Sequence, residues 1–367
     1  MSVVCFDADV LGRQRTGDET YASNLLRELG PLASEAGLRL VAITRRPDLV
    51  PAGVESFELS ARSQELRMGW SLPRALGRLR AVLCHTQHAL PLRPPCACVV
   101  TVHDLSFERD PRLMSWRDRT IFRIVVPRAV RRAARVLTVS ERTKADLVEL
   151  YGVPAAKIVV APNGVDPIFR PPVGIEPQPP GDDLSQGHEP SSGERAGVPS
   201  DKLSQGGYIL TVGAVERRKN QLAALEAAAA VGMPLVVAGP EKDPAVAAEL
   251  RRGGARLLGY VTAERLADLY REAACLVQSS RYEGFGLPVL EAMASGTPVV
   301  AVPDPALREL AADAAVFVEE GRLADGIREA IRGRDRLVAA GLGRASAFSW
   351  RVAAERTLAV YREILEA

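Results

Sequence analysis

Residues 274–294 read ACLVQSSRYEGFGLPVLEAMA, a short apolar run followed by a glycine-containing loop and a segment of helical period. The apolar run 274–278 predicts a buried strand. Pro288 predicts the start of a helix, because its missing N–H costs nothing in the first helical turn. A strand, a loop and a helix in this order form the repeating unit of a parallel sheet covered by helices. The stretch therefore predicts an α/β fold.

Short apolar runs alternate with helical segments on both sides of this stretch. Strands that are apolar on both faces indicate parallel, doubly wound sheets. One series of predicted strands comprises residues 3–7, 40–44, 81–85, 97–102, 136–139 and 158–161. A second series comprises residues 208–212, 235–238, 255–258, 274–278, 298–302 and 315–317. The sequence thus predicts two Rossmann-like domains.

A break in composition separates the two series. Residues 171–207 are rich in Pro, Gly, Ser, Asp and Glu, and such a segment buries too little apolar surface to order itself. We therefore predict an N-terminal domain over residues 1–170, a flexible linker over 171–207 and a C-terminal domain over 208–348. A trailing amphipathic helix over 349–367 begins after the second domain is complete, so we expect it to pack back on the first.

Charge and motif content argue against several classes of protein. The formal net charge of +2 gives no indication of a nucleic-acid partner. The first loop does not read G-x-G-x-x-G and no P-loop occurs, which counts against a nicotinamide dehydrogenase and a P-loop NTPase. The five cysteines are odd in number and lie in apolar runs, which predicts reduced thiols. No signal peptide or membrane-spanning run is evident, so a cytoplasmic location is expected.

The loop in the opening stretch is the first candidate site. Ligands of parallel sheets bind at the carboxyl ends of the strands, where helix N-termini attract phosphate. Gly284 and Gly286 let the backbone approach such a ligand. Glu283 and Glu291 add carboxylates, which accept hydrogen bonds from vicinal hydroxyls of a sugar or ribose. The alternative is one solvated loop glutamate and one glutamate that serves the helix dipole.

Two further loops follow predicted strands. In GAVERRKNQ, residues 213–221, Arg218 and Lys219 could neutralise a diphosphate, and lysine is notable in a chain with five lysines among 47 basic residues. The alternative is a solvated basic turn. In the first domain, His103 follows a strand and could bond a substrate hydroxyl, with Asp104 orienting it. A structural histidine is the alternative there, although His85 and His88 follow a neighbouring strand.

These motifs together resemble family 4 of the glycosyltransferases, which are retaining enzymes of GT-B architecture that use nucleotide-sugar donors. The likeness rests on EGFGLPVLEA with its two glutamates eight residues apart, on ERRKNQ upstream, and on first-domain segments such as VTVHDLSFERDP and APNGVDPIF. It implies that the two domains face a cleft, in which the N-terminal domain binds the acceptor and the C-terminal domain binds the donor. Two positions depart from the family pattern: Glu19 replaces a frequent second glycine, and Ala214 replaces a frequent arginine.

The resemblance also implies roles for individual residues. Lys219 and Arg218 would hold the donor diphosphate, Glu283 would contact the transferred sugar, and His103 would touch the sugar near its C6 hydroxyl. Glu291 would bind the ribose, and the base would lie near residues 259–261. The implied catalytic residues are Lys219, Arg218, Glu283 and His103, and the implied donor-binding positions are Gly17, Gly213, Glu283, Gly284, Phe285, Gly286, Leu287, Glu291 and Val261.

The implied function is retaining transfer of a hexosyl group, mannosyl or glucosyl favoured, to a glycan or lipid-linked acceptor in cell-surface polysaccharide or glycolipid synthesis. No metal or other cofactor is expected to be essential, because the cationic pair takes that role. A non-hydrolysing nucleotide-sugar epimerase and a non-catalytic two-lobed solute-binding protein are the alternatives. Residues 104–135 carry nine arginines against four acids, which fits either a solvated face or peripheral contact with anionic lipid.

Overall fold

A computed structural model describes residues 1–13, 16–110, 116–171 and 207–367. The first sheet contains β1 (Ser2–Asp7), β2 (Leu38–Thr44), β3 (Glu55–Glu58), β4 (Ala81–Gln87), β5 (Ala97–Val102), β6 (Arg135–Thr138) and β7 (Ile158–Val160). Its helices are α1 (Thr16–Glu35), α2 (Gln64–Leu66), α3 (Leu72–Leu79), α4 (Ser106–Arg109), α5 (Trp116–Arg132) and α6 (Glu141–Tyr151). The seven strands are ordered β3-β2-β1-β4-β5-β6-β7 and every pair is parallel.

The second sheet contains β8 (Ile209–Val212), β9 (Leu235–Ala238), β10 (Arg256–Leu257), β11 (Cys275–Gln278), β12 (Val299–Ala301) and β13 (Val316–Phe317). Its helices are α7 (Gln221–Ala230), α8 (Pro244–Arg252), α9 (Ala263–Glu272), α10 (Leu287–Ala294), α11 (Pro305–Ala311), α12 (Leu323–Arg332) and α13 (Arg334–Ala345). The six strands are ordered β10-β9-β8-β11-β12-β13 and are parallel. The predicted fold of two Rossmann-like, doubly wound domains is confirmed.

Local sequence explains where the helices that carry the site begin and end. Ser140 caps α6 by accepting a bond from the Thr143 amide, and Gly152 ends that helix in the left-handed conformation. Gly286 precedes α10 with a φ of 104°, a region that a side chain rarely adopts. Pro288 then occupies the second helical position and Glu291 lies in the second turn of α10. A glutamate that serves the helix dipole belongs in the first turn, so Glu291 does not take that role.

The last helix, α14 (Trp350–Glu366), packs on the first domain. Its apolar face joins the core cluster that contains Leu25 and Leu29 of α1, through Ala354, Leu358 and Tyr361. The Tyr361 hydroxyl also lies 2.6 Å from Nδ1 of buried His85 on β4. The chain therefore crosses back to the first domain after completing the second sheet.

Some elements differ from the sequence prediction. The edge strand β3 was not predicted, because its sequence ESFE is largely exposed and lacks an apolar run. Most of the predicted linker, residues 171–207, lies outside the described residues. All five cysteines are free thiols, as predicted. Within the described ranges, no helix is long and apolar enough to cross a membrane.

Candidate active site

The two domains meet where the loop after β11 contacts the loops after β5 and β6. The Ser140 hydroxyl donates a bond of 2.6 Å to the Gly284 carbonyl. The Tyr282 hydroxyl donates to Oδ2 of Asp146 at 2.7 Å and accepts from the Leu105 amide at 3.2 Å. Hydrogen bonds between the domains thus hold the predicted site loop against the first sheet's carboxyl edge.

Lys219 and Glu283 form an ion pair in this region. The Lys219 Nζ atom lies 2.6 Å from Oε1 of Glu283, and their side chains are only 11% and 7% exposed. Gln278 also donates to the same oxygen at 2.6 Å. The residues come from the ends of the adjacent strands β8 and β11, which explains how a separation of 64 positions closes to a contact.

Arg218 completes the cationic side of the pair. Its NH1 group lies 3.6 Å from Oε2 of Glu283 and donates to the Tyr282 carbonyl at 3.0 Å. Burial raises the pKa of Glu283, but the charges of Lys219 and Arg218 outweigh it and hold that pKa below its usual value. Burial lowers the pKa of Lys219, with Arg218 adding to this effect and Glu283 opposing it. Arg218 also pairs with Glu216, whose Oε1 atom lies 3.0 Å from its NH2 group, so two carboxylates balance the two adjacent cations.

Asp304, at the N-terminus of α11, fixes the backbone of Glu283. Its Oδ2 atom accepts a bond of 3.2 Å from the Glu283 amide. The same oxygen accepts a bond of 2.9 Å from Arg142 of the first domain. The Asp304 carboxylate therefore contacts the first domain and at the same time holds the loop that carries Glu283.

Two glycines of this region allow close contacts that a side chain would prevent. Gly213 has a φ of +136°, and a Cβ there would lie 3.2 Å from Cε of Lys219. A Cβ on Gly284 would overlap the His103 carbonyl oxygen and lie 2.9 Å from Cβ of Asp104. By contrast, Gly17 lies in the first turn of α1 with open space around it. A side chain at Gly213 would therefore meet Lys219, and one at Gly284 would meet the first domain.

Glu291 faces a different neighbour from Glu283. Its Oε2 atom accepts a bond of 2.9 Å from the Tyr270 hydroxyl. Burial raises the pKa of Glu291 to about 8, and the negative charge of Asp166 adds to this effect. The two glutamates of the opening stretch therefore occupy separate environments, one ionised among cations and one buried beside a phenol.

The predicted base-binding segment, residues 259–261, lies near the loop that begins at Gly213. The Gly259 carbonyl accepts a bond of 2.8 Å from the Gly239 amide, and the Gly213 amide donates to the Ala238 carbonyl at 2.9 Å. Val261 is half-buried and packs against the core of the second domain. Phe285 belongs to the same core, and Leu287 packs against it.

His103 lies on the first-domain side, at the end of β5. Its Nε2 atom lies 2.9 Å from Oε1 of Gln87, and its ring contacts the Tyr21 ring edge-on at 4.6 Å. Burial lowers the pKa of His103 to about 4, so the imidazole is neutral at neutral pH. The suggestion that Asp104 orients His103 is wrong: Oδ1 of Asp104 accepts bonds from the amide and the hydroxyl of Ser106.

Several residues of this region were missed by sequence reasoning. Tyr282 and Gln278 lie inside the opening stretch, but nothing in their spacing indicates a hydrogen bond to another domain or to Glu283. Asp304 carried a usable signal, because Asp followed by Pro305 is a typical helix start. Arg142 lies on α6, and its contact with Asp304 depends on how the domains meet.

Two family models match the chain. The model described as "Glycosyltransferase Family 4" matches residues 16–169, and "Glycosyl transferases group 1" matches residues 199–341. The chain belongs to the family 4 glycosyltransferases. The match over residues 16–169 covers the first sheet from β2 onward, and the match over residues 199–341 covers the whole second sheet. The predicted family is therefore confirmed for both domains, and with it glycosyltransferase activity.

Curated relatives of this family are similar over most of the chain. O-antigen chain mannosyltransferase B of Escherichia coli is 29% identical over 344 residues, which cover 88% of this chain and 83% of that protein. D-inositol 3-phosphate glycosyltransferase 1 of Catenulispora acidiphila is 33% identical over 267 residues, which cover 65% of this chain. The chain spans 59% of the length of that second relative.

Solved structures share the fold. Sucrose-phosphate synthase from Thermosynechococcus elongatus matches with a TM-score of 0.74 and 18% identity over all of both chains. The Anabaena protein HepE in complex with UDP and glucose matches with a TM-score of 0.69 and 14% identity over 99% of this chain and 100% of that one. These likenesses support the GT-B arrangement of the two domains.

Proposed function

We propose that the protein transfers a hexosyl group from a nucleoside-diphosphate sugar to a glycan or lipid-linked acceptor, with retention of configuration, in cell-surface polysaccharide or glycolipid synthesis. The observation that carries the proposal is the buried group of Lys219, Arg218 and Glu283 at the carboxyl edge of the second sheet. Its two adjacent cations suit a diphosphate, and the Glu283 carboxylate suits sugar hydroxyls.

The family resemblance supplies a role for each site residue in this proposal. Lys219 and Arg218 stabilise the leaving nucleoside diphosphate as negative charge develops on it, which is where fixed cations accelerate a reaction most. Glu283 accepts bonds from the sugar hydroxyls, and His103 meets the sugar from the first domain. Glu291 accepts hydrogen bonds from the ribose hydroxyls, which replace the hydrogen bond from the Tyr270 hydroxyl. Gly17 lets the N-terminus of α1 approach the phosphates.

The hydrogen bonds of Glu283 fit a retaining reaction in which the acceptor attacks the same face of the sugar that the leaving group departs from. Lys219 and Gln278 both bond its Oε1 atom. A carboxylate held in this way accepts hydrogen bonds rather than attacking the anomeric carbon. We therefore expect the leaving phosphate to take the acceptor proton while the oxocarbenium-like state forms, with alignment supplied by the closed cleft. No metal is required for this step, because the two cations meet the diphosphate charge.

The choice of a mannosyl or glucosyl donor rests on relatives. Two of them are named O-antigen chain mannosyltransferases, one from Escherichia coli and one from Salmonella typhimurium. A structural neighbour was solved with UDP and glucose. A hexose is common to all three names, and the O-antigen chain named in two of them favours a polysaccharide acceptor.

Peripheral contact with anionic lipid is part of the proposal. Helix α5 exposes Ile121 and Ile124, which are 52% and 64% accessible. Exposed Arg117 and Arg128 flank them at helical spacing on the same face. An apolar pair between arginines suits the headgroup region of an anionic membrane. Such contact would bring a lipid-linked acceptor to a protein of the cytoplasm.

Liposome flotation tests the proposed membrane contact separately from the transferase activity. Wild-type protein should float with anionic vesicles and not with neutral ones, and Ile121→Asp with Ile124→Asp should abolish flotation. Ile331→Asp is the matched control, because Ile331 is an exposed isoleucine of the second domain. Equal flotation of all variants, or none by the wild type, would remove membrane contact from the proposal.

A screen of UDP-, GDP- and ADP-linked sugars tests the donor. The correct donor should raise the unfolding temperature, since a ligand at 100 times its Kd adds about 2.7 kcal/mol of stability. It should also release nucleoside diphosphate, and NMR of the glycosylated product should show the donor's anomeric configuration. Donor epimerisation without transfer would favour an epimerase, and sugar binding without turnover would favour a solute-binding protein.

A further inference from the structure

Three side chains that could ligate a metal meet at the first-domain wall of the cleft. Asp18 lies in the first turn of α1, His88 directly follows β4, and His103 directly follows β5. Their ligand atoms all lie within 4.8 Å of one another, and all three residues are half-buried. They are therefore close together and still within reach of solvent.

The backbone holds the two histidines in place. Strands β4 and β5 are adjacent and parallel, so the residues after them emerge at the same edge of the sheet. His88 has a φ of 59°, in the left-handed region that non-glycine residues seldom occupy. Its amide donates to the Thr101 carbonyl at 2.9 Å, which ties this turn to β5. The His88 and His103 rings consequently lie 5.2 Å apart.

The hydrogen bonds leave a lone pair on each ring for a ligand. The Nε2 atom of His103 is bonded to Oε1 of Gln87, an acceptor, so Nε2 carries the proton and Nδ1 carries the lone pair. The Nδ1 atom of His88 is buried and has no hydrogen-bond partner among the described residues. An outer partner that fixes the tautomer, as Gln87 does, is typical of histidines that bind metals.

We propose that Asp18, His88 and His103 bind one divalent transition-metal ion of the zinc class, with an open coordination position toward the cleft. Two imidazoles and a carboxylate suit Zn²⁺, Co²⁺ or Ni²⁺, whereas Mg²⁺ and Ca²⁺ prefer oxygen ligands alone. Metal bonds of about 2.0–2.2 Å place tetrahedral ligands roughly 3.4 Å apart. The ligand atoms, which lie within 4.8 Å of one another, therefore move closer together when the ion binds.

The site overlaps the proposed sugar contact, because both use His103. A bound ion would therefore exclude the donor sugar from this residue and inhibit transfer. This consequence rests on the proposed function, whereas metal binding itself does not. The ion is then an inhibitor of the reaction and not a cofactor for it.

Metal binding is measured directly on the untagged full chain. Zn²⁺ affinity is determined by competition with a chromophoric chelator, and Co²⁺ is used as a spectroscopic probe. We expect one ion per chain, visible Co²⁺ bands and no thiolate charge-transfer band in the near ultraviolet. His88→Asn tests the site with a residue that also tolerates the left-handed conformation. Asp18→Asn is a second, independent variant.

Each ligand substitution should weaken binding by more than 100-fold, since losing even an outer partner of a ligand costs about 10–100-fold. Glu19→Gln, the neighbouring acid of α1, and Cys96→Ser with Cys98→Ser are controls that should leave the affinity unchanged. Failure of the wild type to bind Zn²⁺, or loss of binding only in the cysteine variant, would overturn the proposal. Zn²⁺ binding without any transferase activity would leave the metal site standing and contradict the proposed function instead.

Discussion

The Lys219 ammonium lies 2.6 Å from Oε1 of Glu283, although the two residues are 64 positions apart in the chain. Both side chains are almost fully buried. Neither charge is stable in that environment without its partner, since desolvating an isolated ion costs several kcal/mol. The pair is thus a preformed charged group at the end of the sheet, and its energetics are measurable independently of catalysis.

The first prediction concerns the stability of this pair. Glu283→Gln leaves Lys219 buried beside Arg218 without the carboxylate, and breaking a buried pair in this way costs about 3–5 kcal/mol. The double variant Lys219→Met with Glu283→Gln should lose clearly less than the sum of the single variants, because it removes both charges. Urea unfolding measures all four proteins. Additive losses would show that the two side chains do not interact.

The second prediction concerns contact between the domains. Gly284→Ala would force a Cβ into the His103 carbonyl oxygen, so the domains must move apart. A misplacement of about 1 Å can cost 10²-fold in rate, and we expect kcat/KM to fall by at least that factor. Gly343→Ala is the matched control, because nothing lies within 4 Å of a Cβ there. Wild-type activity in Gly284→Ala would mean that the closed contact is not used in transfer.

The third prediction concerns the Tyr282 hydroxyl. Tyr282→Phe leaves the Leu105 amide and the Asp146 carboxylate without this partner. Leaving buried polar groups unsatisfied costs about 1–3 kcal/mol, so the midpoint of thermal unfolding should fall. Tyr260→Phe serves as the control, since Tyr260 is exposed. If Tyr282→Phe and Tyr260→Phe unfold at the same temperature, the hydrogen bonds of the Tyr282 hydroxyl to the first domain do not stabilise the protein.

The fourth prediction concerns pH and Glu291. Its pKa is raised in the folded state from 4.5 to about 8, so the folded protein retains a proton that the unfolded chain releases. The stability that this provides is complete below about pH 4.5 and is lost as the pH rises toward 8, at about 1.4 kcal/mol per pH unit. Glu291→Gln removes this dependence and keeps an oxygen for the Tyr270 bond.

Urea unfolding of the wild type and Glu291→Gln at about pH 5 and pH 8 checks the sign. The free energy of unfolding of Glu291→Gln, measured relative to that of the wild type, should be larger at pH 8 than at pH 5. Identical pH dependence in both proteins would show that Glu291 has an ordinary pKa. The comparison cancels other titrating groups, such as Asp9 and Asp304, whose pKa values are also raised by burial.

The sequence was sufficient to predict the parts of the site that lie in loops after neighbouring strands of the same sheet. The Arg218 and Lys219 loop and the Glu283 loop come after strands of one parallel sheet, and parallel strands end at the same edge. Contacts between domains were not predictable, because the bonds of Tyr282 to Asp146 and of Arg142 to Asp304 depend on how two separate sheets meet. The role of Asp104 was misassigned because a local bond to Ser106 competes with any bond to His103.

The most direct test of the account is nucleoside-diphosphate release by the wild type and by Lys219→Ala, with the donor found in the sugar-nucleotide screen. Circular dichroism at the assay temperature first establishes that the variant is folded. Loss of a preorganised charge at the leaving group costs about 10²–10³-fold in turnover. A loss of that size in folded Lys219→Ala is the predicted result, and wild-type turnover in the variant would contradict the account.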